Sequence, residues 1–337
     1  MRFSDTKWLD LAIKITAVAI VLAIGFLAYT VIVTSARNRA DSPAMRAAAN
    51  LAEAVRQDPN NVAARLRLAD ALAAGGDLKS ANEQYQAALQ IRPDDPQALA
   101  GLALLSMNQE EWRTAEGYWR KIIGILQENQ YAAVDQRLEK AYYFLGSTLM
   151  EVKEYEEATK YLREALRIRR DASDTYFLLA IAYREMDSPA KFEENLRNAL
   201  EFDPLLPEAN YEYALLLIEN GQVADAAERL RVSIDNAPAD RAEPADELAK
   251  LGTATKHVDA ARTALASKET TSALDEARIA VAIDPENVDG IRMVAQLQEK
   301  VGNVAAGRTA WESLLKFAPE DPEALAAVKR LSEATSK

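Results

Sequence analysis

The stretch AALQIRP at residues 87–93 returns twice along the chain in closely similar form. Its counterparts are NALEFDP at residues 198–204 and AVAIDP at residues 280–285. In each copy an apolar, helix-favouring segment runs into a proline, and proline cannot continue a helix because it lacks the amide donor. The three copies therefore predict a helical unit that occurs repeatedly.

The repeat has a fixed length and a fixed pattern of small and large residues. The same interval separates Pro59 from Pro93, Pro204 from Pro238 and Pro285 from Pro319. A small residue recurs at Ala81, Ala115, Ala158, Ala226, Ala273 and Gly307, and a bulky one follows four positions later at Tyr85, Trp119, Leu162, Leu230 and Trp311. Two helices approach closely only where their side chains are small, so this pattern predicts pairs of packed helices.

The pattern resembles the tetratricopeptide repeat (TPR) family, whose period of about 34 residues equals the interval between these prolines. The Leu-Ala or Leu-Gly pair of its first helix stands at Leu68-Ala69, Leu102-Ala103, Leu145-Gly146 and Leu179-Ala180. Departures occur at Phe192, where a small residue is expected, and at Ala277, where a bulky one is expected. The resemblance covers about residues 44–334 and implies an all-α fold, a TPR α-solenoid whose helix–turn–helix repeats form a right-handed superhelix.

The repeats divide residues 44–334 as follows. A half repeat precedes seven full repeats, and a capping helix at 322–334 closes the array. The full repeats are predicted to start near residues 62, 96, 139, 173, 207, 254 and 288. Two inserts, around 129–138 and 241–253, break the period. Each is either a lengthened helix or loop, and the second is alternatively a break in the superhelix.

The N-terminal segment predicts a membrane anchor. Residues 15–33 carry no charge, and a helix of this length is about 28 Å long, close to the roughly 30 Å hydrocarbon core. We expect a tail at 1–14, a transmembrane helix at 15–36 and a linker at 37–43, with a cleaved signal peptide as the alternative. Basic residues on both sides leave the orientation open, and the expectation is a single-pass protein with its TPR body on the extracytoplasmic, periplasmic side.

Composition excludes several classes of function. The chain has 337 residues, no Cys, one His and a net charge of −12. This acidity disfavours nucleic acid, whose phosphates would be repelled. Motifs of phosphate loops, dinucleotide sites, zinc proteases and serine hydrolases are missing from the sequence. We therefore predict no enzyme activity, no catalytic residue, no metal site and no cofactor, and His257 is expected to be a structural or surface residue.

The resemblance also implies where a partner would bind. In the family the first helix of each repeat lines a concave groove, with its fifth, ninth and twelfth positions pointing inward. In the central repeats these are Ala100, Leu104, Met107, Tyr143, Ser147, Met150, Phe177, Ile181, Arg184, Tyr211, Leu215 and Ile218. This apolar and aromatic stripe predicts a groove for apolar or amphipathic segments of partner proteins or peptides. The alternative is that many of these side chains pack between neighbouring repeats.

The functional expectation is a membrane-anchored protein–protein interaction scaffold of the bacterial envelope. Two alternatives stay open. One is a chaperone-like assembly or biogenesis factor for a membrane or envelope complex, for example in the maturation of c-type cytochromes. The other is a regulatory subunit that faces the cytoplasm.

Overall fold

The computed structural model describes residues 42–238 and 240–334, and within these ranges the chain is helical and contains no strand. The all-α prediction is confirmed. The α-helices of the described ranges are α1 (Pro43–Gln57), α2 (Val62–Ala74), α3 (Leu78–Ile91), α4 (Pro96–Asn108), α5 (Trp112–Gln127), α6 (Gln136–Glu151), α7 (Tyr155–Ile168), α8 (Ser173–Glu185), α9 (Pro189–Phe202), α10 (Pro207–Glu219), α11 (Val223–Asn236), α12 (Glu243–Lys250), α13 (Ala254–Ala266), α14 (Thr270–Ile283), α15 (Val288–Lys300), α16 (Val304–Phe317) and α17 (Pro322–Ala334).

The small and bulky residues of the repeat pattern form the core of the helix pairs. Ala81, Ala115, Ala158, Ala226 and Ala273 have no exposed surface. The bulky residues of the pattern are also buried, at 4% exposure or less, namely Tyr85, Trp119, Leu162, Leu230 and Trp311. Small side chains at the crossing allow the two backbones to approach, and the large side chain fills the adjacent space.

Seven of the described turns between successive helices contain a left-handed residue. Positive φ angles occur in these turns at Gly76, Glu110, Lys153, Asp187, Gly221, Lys268 and Gly302. The residue after each of them donates its amide to the carbonyl five positions back, as in the 2.9 Å bond from Asp77 to Leu72. This Schellman geometry satisfies carbonyls at the end of the first helix. Successive left-handed residues are separated by the interval of the prolines, except across the two inserts.

The described helices lie in two compact units, α1–α6 and α7–α17, which are divided between Glu154 and Tyr155. In the described part of the first unit, the core of α1–α4 includes Leu66, Leu102 and Tyr85. The first insert adds a 3-10 turn, Ala132–Val134, and α6 then begins at Gln136. The Asp135 side chain caps α6 by accepting the amide of Arg137 at 2.9 Å. This insert is therefore a short turn with an extra turn of helix.

The second insert forms the short helix α12 within the second unit. Leu248 of α12 is 4% exposed and shares a core with residues of α10, α11 and α14. Beyond the insert, α11 packs against α14, and Arg231 of α11 donates to the carbonyl oxygens of Ala282 and Ile283 at 2.8 and 2.9 Å. The packing of the second unit therefore continues across the insert.

The prediction of a membrane location needs correction. Within residues 42–238 and 240–334, no helix is both long and apolar enough to cross a membrane. The longest described helices, α5 and α6, have 16 residues each, so they extend about 24 Å against a hydrocarbon core of about 30 Å. The predicted transmembrane helix at 15–36 lies outside the described residues. The predicted single-pass placement, with an extracytoplasmic body, is therefore not supported.

Candidate partner-binding face

The twelve predicted groove residues all lie on first helices of helix pairs. In the first unit they are on α4 and α6, and in the second unit they are on α8 and α10. Leu104, with 45% of its surface accessible, and Arg184 are exposed. The other ten are half-buried: Ala100, Met107, Tyr143, Ser147, Met150, Phe177, Ile181, Tyr211, Leu215 and Ile218. None of the twelve is fully buried, so all present some surface for contact.

In the first unit, aromatic side chains contact residues of this face and restrict their conformations. The Trp119 indole nitrogen donates to the Met107 sulfur at 3.4 Å and thereby fixes the thioether. The Trp119 ring also stacks on Phe144, with centroids 5.0 Å apart, and Phe144 meets Tyr143 edge to face at 5.2 Å. The rings of Trp119 and Phe144 thus restrict the rotamers of Met107 and Tyr143, which lowers the conformational entropy lost when a partner binds.

In the second unit the face combines apolar side chains with charged ones. Arg184 of α8 donates to Glu212 of α10 at 2.5 Å, and this bond ties the two first helices together. Tyr211 and Ile218 contact the core that contains Leu248, so part of their surface serves packing inside the unit. The alternative of packing between repeats therefore holds in part for these two residues.

The second insert contributes to the surroundings of Tyr211. The Arg241 guanidinium lies 5.6 Å from the centroid of the Tyr211 ring and forms a 3.0 Å ion pair with Glu208. The pKa of Tyr211 is raised above its ordinary value, first by burial and then by the carboxylates of Glu247, Glu212 and Glu243. Tyr211 thus lies in a field of negative charge, which disfavours its phenolate.

Sequence reasoning missed Glu212, Arg241 and Glu247 as neighbours of the face. Glu208 and Glu212 stand one helical turn apart around Tyr211, and this spacing was an available sign of an acidic surrounding. Arg241 and Glu247 could not be found in this way, because only the folding of the insert brings them to Tyr211.

His257 has a structural position in the fold. It is 8% exposed, at the start of α13, and both ring nitrogens face acceptors. Nδ1 lies 2.6 Å from a carboxylate oxygen of Glu276, and Nε2 lies 3.0 Å from the carbonyl oxygen of Leu251. Across the described ranges, no three His, Asp or Glu side chains are grouped so that they could hold a metal ion.

Comparison with known proteins identifies the repeats. A family model for the tetratricopeptide repeat matches residues 45–105, and a second one matches residues 139–171. The E3 ubiquitin-protein ligase CHIP of Arabidopsis thaliana is 27% identical over 147 residues, which are 44% of this chain and 46% of the ligase. Interferon-induced protein with tetratricopeptide repeats 2 of Homo sapiens is 29% identical over 133 residues, 39% of this chain and 27% of that protein. The chain spans less than half the length of these curated relatives.

Solved structures give a weaker likeness. YrrB, described as a TPR protein with an unusual peptide-binding site, has a TM-score of 0.46 and 19% identity, covering 60% of this chain and 100% of YrrB. Pseudomonas aeruginosa PilF has a TM-score of 0.47 and 16% identity, covering 81% of this chain and 97% of PilF. The family matches fall on helices described above, and the chain therefore contains tetratricopeptide repeats within residues 45–105 and 139–171.

Proposed function

We propose that the chain is a protein–protein interaction scaffold that binds partner segments through the first-helix faces of its repeats. The proposed role is binding without catalysis. The two alternatives, an assembly factor and a regulatory subunit, depend on the same binding step. The proposal therefore concerns that step and the face that performs it.

One observation carries the proposal. Apolar and aromatic side chains recur at equivalent positions of α4, α6, α8 and α10 and keep part of their surface exposed. A fold that could bury these side chains completely would gain about 25 cal/mol for each Å² removed from water. Partly exposed apolar stripes of this kind are typical of surfaces that bind another chain.

The experiment is photo-crosslinking from Phe177, replaced by a photoreactive phenylalanine analogue in the full chain. Phe317, the last residue of α16, is the control because it has the same side chain as Phe177 with accessible surface, at 42% exposure, and lies at the end of a second helix. We expect one dominant crosslinked protein from position 177 and none from position 317. Leu215→Ala in the crosslinking chain should reduce the yield several-fold, because it removes apolar contact area on the same face.

The crosslinking experiment also has outcomes that would contradict the proposal. Identical crosslinks from positions 177 and 317, or a yield that Leu215→Ala leaves unchanged, would contradict binding through this face. Circular dichroism of the Leu215→Ala chain should show unchanged helicity, since Leu215 is only half-buried.

A further inference from the structure

The negative charge of the chain is concentrated in the part that carries the second-unit face. Residues 171–250 contain 18 Asp and Glu against 7 Lys and Arg, a net charge of −11. Residues 251–337 contain 13 acidic and 11 basic residues. The whole chain has a net charge of −12, so the segment that includes α8–α12 dominates the electrostatic field of the second unit.

The acidic residues are placed at both ends of the apolar stripe. On α8 the order is Asp174, Phe177, Ile181 and Glu185, and these positions, at i, i+3, i+7 and i+11, share one helix face. The same order returns at the equivalent positions of the next repeat, on α10, as Glu208, Tyr211, Leu215 and Glu219. Both helices therefore present an aromatic and an aliphatic side chain between two carboxylates.

The corresponding positions of the first unit lack this arrangement. On α4 the end positions are Gln97 and Asn108, and on α6 they are Lys140 and Glu151. The acidic pattern is consequently a property of α8 and α10 and not of the repeat in general. A difference between repeats at equivalent surface positions points to recognition, because packing requirements are shared by all repeats.

The basic residues of 171–250 are already engaged within the second unit. Arg184 binds Glu212, Lys191 lies over the Tyr183 ring, Arg197 binds Glu193, Arg229 binds Asn210, Arg231 binds two carbonyl oxygens, Arg241 binds Glu208 and Lys250 binds Glu247. These seven cations leave an excess of carboxylates. Asp174, Glu185 and Glu208 are themselves paired with Arg169, Arg184 and Arg241, but they keep 47%, 41% and 38% of their side chains exposed, and Glu219 is exposed as well.

We infer that the second-unit face of α8 and α10 takes a cationic amphipathic segment of a partner protein. Apolar side chains of the segment contact Phe177, Ile181, Tyr211 and Leu215, and its Lys or Arg side chains reach the carboxylates at the two ends of the stripe. Opposite charges steer the encounter and select against acidic partners. The inference rests on the proposed function, since it specifies what the proposed face binds.

Two matched synthetic peptides test the inference with the full chain. Both are amphipathic helices of about 18 residues with Leu on the apolar face, and one has Lys and the other Glu on its polar face. Fluorescence anisotropy measures the dissociation constant of each peptide at low and at physiological ionic strength. We expect the Lys peptide to bind at least about tenfold more tightly, and we expect the difference to shrink as salt screens the charges.

Two variants that change the net charge equally then show whether the carboxylates of the stripe attract the Lys peptide. The first variant combines Asp174→Asn, Glu185→Gln, Glu208→Gln and Glu219→Gln. The second combines Asp187→Asn, Glu194→Gln, Glu201→Gln and Asp240→Asn, which changes the net charge equally at exposed positions outside the stripe. The first should weaken the Lys peptide about tenfold, since it removes four negative charges that attract the Lys side chains. The second should change its affinity less than about twofold.

The outcomes separate the inference from the proposed function. Equal affinity for the two peptides, or equal weakening by the two variants, would overturn the cationic partner while leaving an apolar binding face. The double variant Phe177→Ala with Leu215→Ala checks that face independently, because it should weaken both peptides. If it weakens neither peptide, the proposed function fails, and the charge preference then reflects non-specific attraction to an acidic protein.

Discussion

At the scale of single residues, Gly101 shows how closely the helix pairs of the first unit fit. A Cβ atom at Gly101 of α4 would come within 2.3 Å of the Tyr85 ring. The Tyr85 ring cannot easily retreat, because it is 4% exposed and its hydroxyl donates to Asp70 at 2.5 Å. Glycine is therefore required at position 101 by contact, although it lies within a helix and costs backbone entropy there.

We predict that Gly101→Ala destabilises the chain by about 1 to 3 kcal/mol, since overpacking outweighs the gain of up to about 1 kcal/mol in helix propensity. Gly117→Ala is the matched control, because a Cβ at Gly117 of α5 meets nothing within 4 Å. That variant should be neutral or more stable. Urea midpoints measure both, and a Gly101→Ala chain as stable as the wild type would show that the Tyr85 ring can move aside.

Tyr85 also makes the stability of the folded chain depend on pH in the alkaline range. Burial and the Asp70 carboxylate raise its pKa well above the ordinary value. An unfolded tyrosine ionises near pH 10, so the unfolded chain binds fewer protons than the folded chain above that pH. The stability contributed by Tyr85 is thus complete below about pH 10 and decreases as the pH rises further. Urea midpoints at about pH 9 and about pH 11 should differ less for Tyr85→Phe than for the wild type.

The control for this measurement is Tyr131, which is 64% exposed. Tyr131→Phe should leave the alkaline decrease in stability unchanged, because an exposed tyrosine has nearly the same surroundings in both states. An equal effect of the two substitutions would contradict the assignment to Tyr85.

At the scale of elements, left-handed turns between successive helices recur at the interval of the repeat. A left-handed residue other than glycine costs about 1 to 2 kcal/mol, yet Glu110, Lys153, Asp187 and Lys268 occupy this conformation. They tolerate it because the Schellman hydrogen bonds at the end of the preceding helix hold the turn in this conformation.

We predict that Lys268→Gly stabilises the second unit by about 1 kcal/mol, because it relieves the positive φ of 64° at an exposed turn. Gly221→Ala is the opposite test, since a Cβ there meets nothing within 4 Å and only the backbone is strained, at a φ of 75°. It should cost about 1 kcal/mol. Thermal or urea unfolding checks both variants, and changes of the same sign would be inconsistent with this explanation.

Helix pairs with the small and bulky pattern could be predicted from sequence because that pattern is a direct consequence of close packing. Ala115 and Trp119 show this, since one is fully buried at the crossing and the other fills the space beside it. The helix α12 could not be predicted, because its eight residues carry no repeat signature and Leu248 becomes a core residue only through contacts with α10, α11 and α14.

The candidate binding face could likewise be predicted only in part. The positions of Phe177 and Leu215 follow from the repeat, and both side chains are half-buried, on α8 and α10. Whether they contact a partner stays a prediction. The electrostatics around Tyr211 depend on tertiary contacts of Arg241 and Glu247, and sequence spacing carries no information on these.

At the scale of the whole molecule, stability should be local rather than uniform. In repeat proteins each repeat contacts mainly its neighbouring repeats, so the loss of one contact destabilises nearby helices most. Leu248→Ala removes a buried side chain from the second unit, and such truncations cost about 2 to 5 kcal/mol. We predict faster amide hydrogen exchange in α10–α14 and unchanged exchange in α1–α5.

Leu325→Ala is the control for this prediction, because Leu325 of α17 is 50% exposed and its truncation should change exchange little. Acceleration spread evenly over all described helices after Leu248→Ala would mean that the array unfolds as one cooperative unit.

The sole histidine of the chain has a practical consequence for spectroscopy. His257 is bonded to Leu251 at the end of α12 and to Glu276 of α14, so it joins the insert to the following helix pair. In a proton NMR spectrum the proton on Cε1 of its imidazole gives the only signal of that kind from a histidine of this sequence. A shift or broadening of that signal would therefore report on one junction of the array, in the unlabelled native protein.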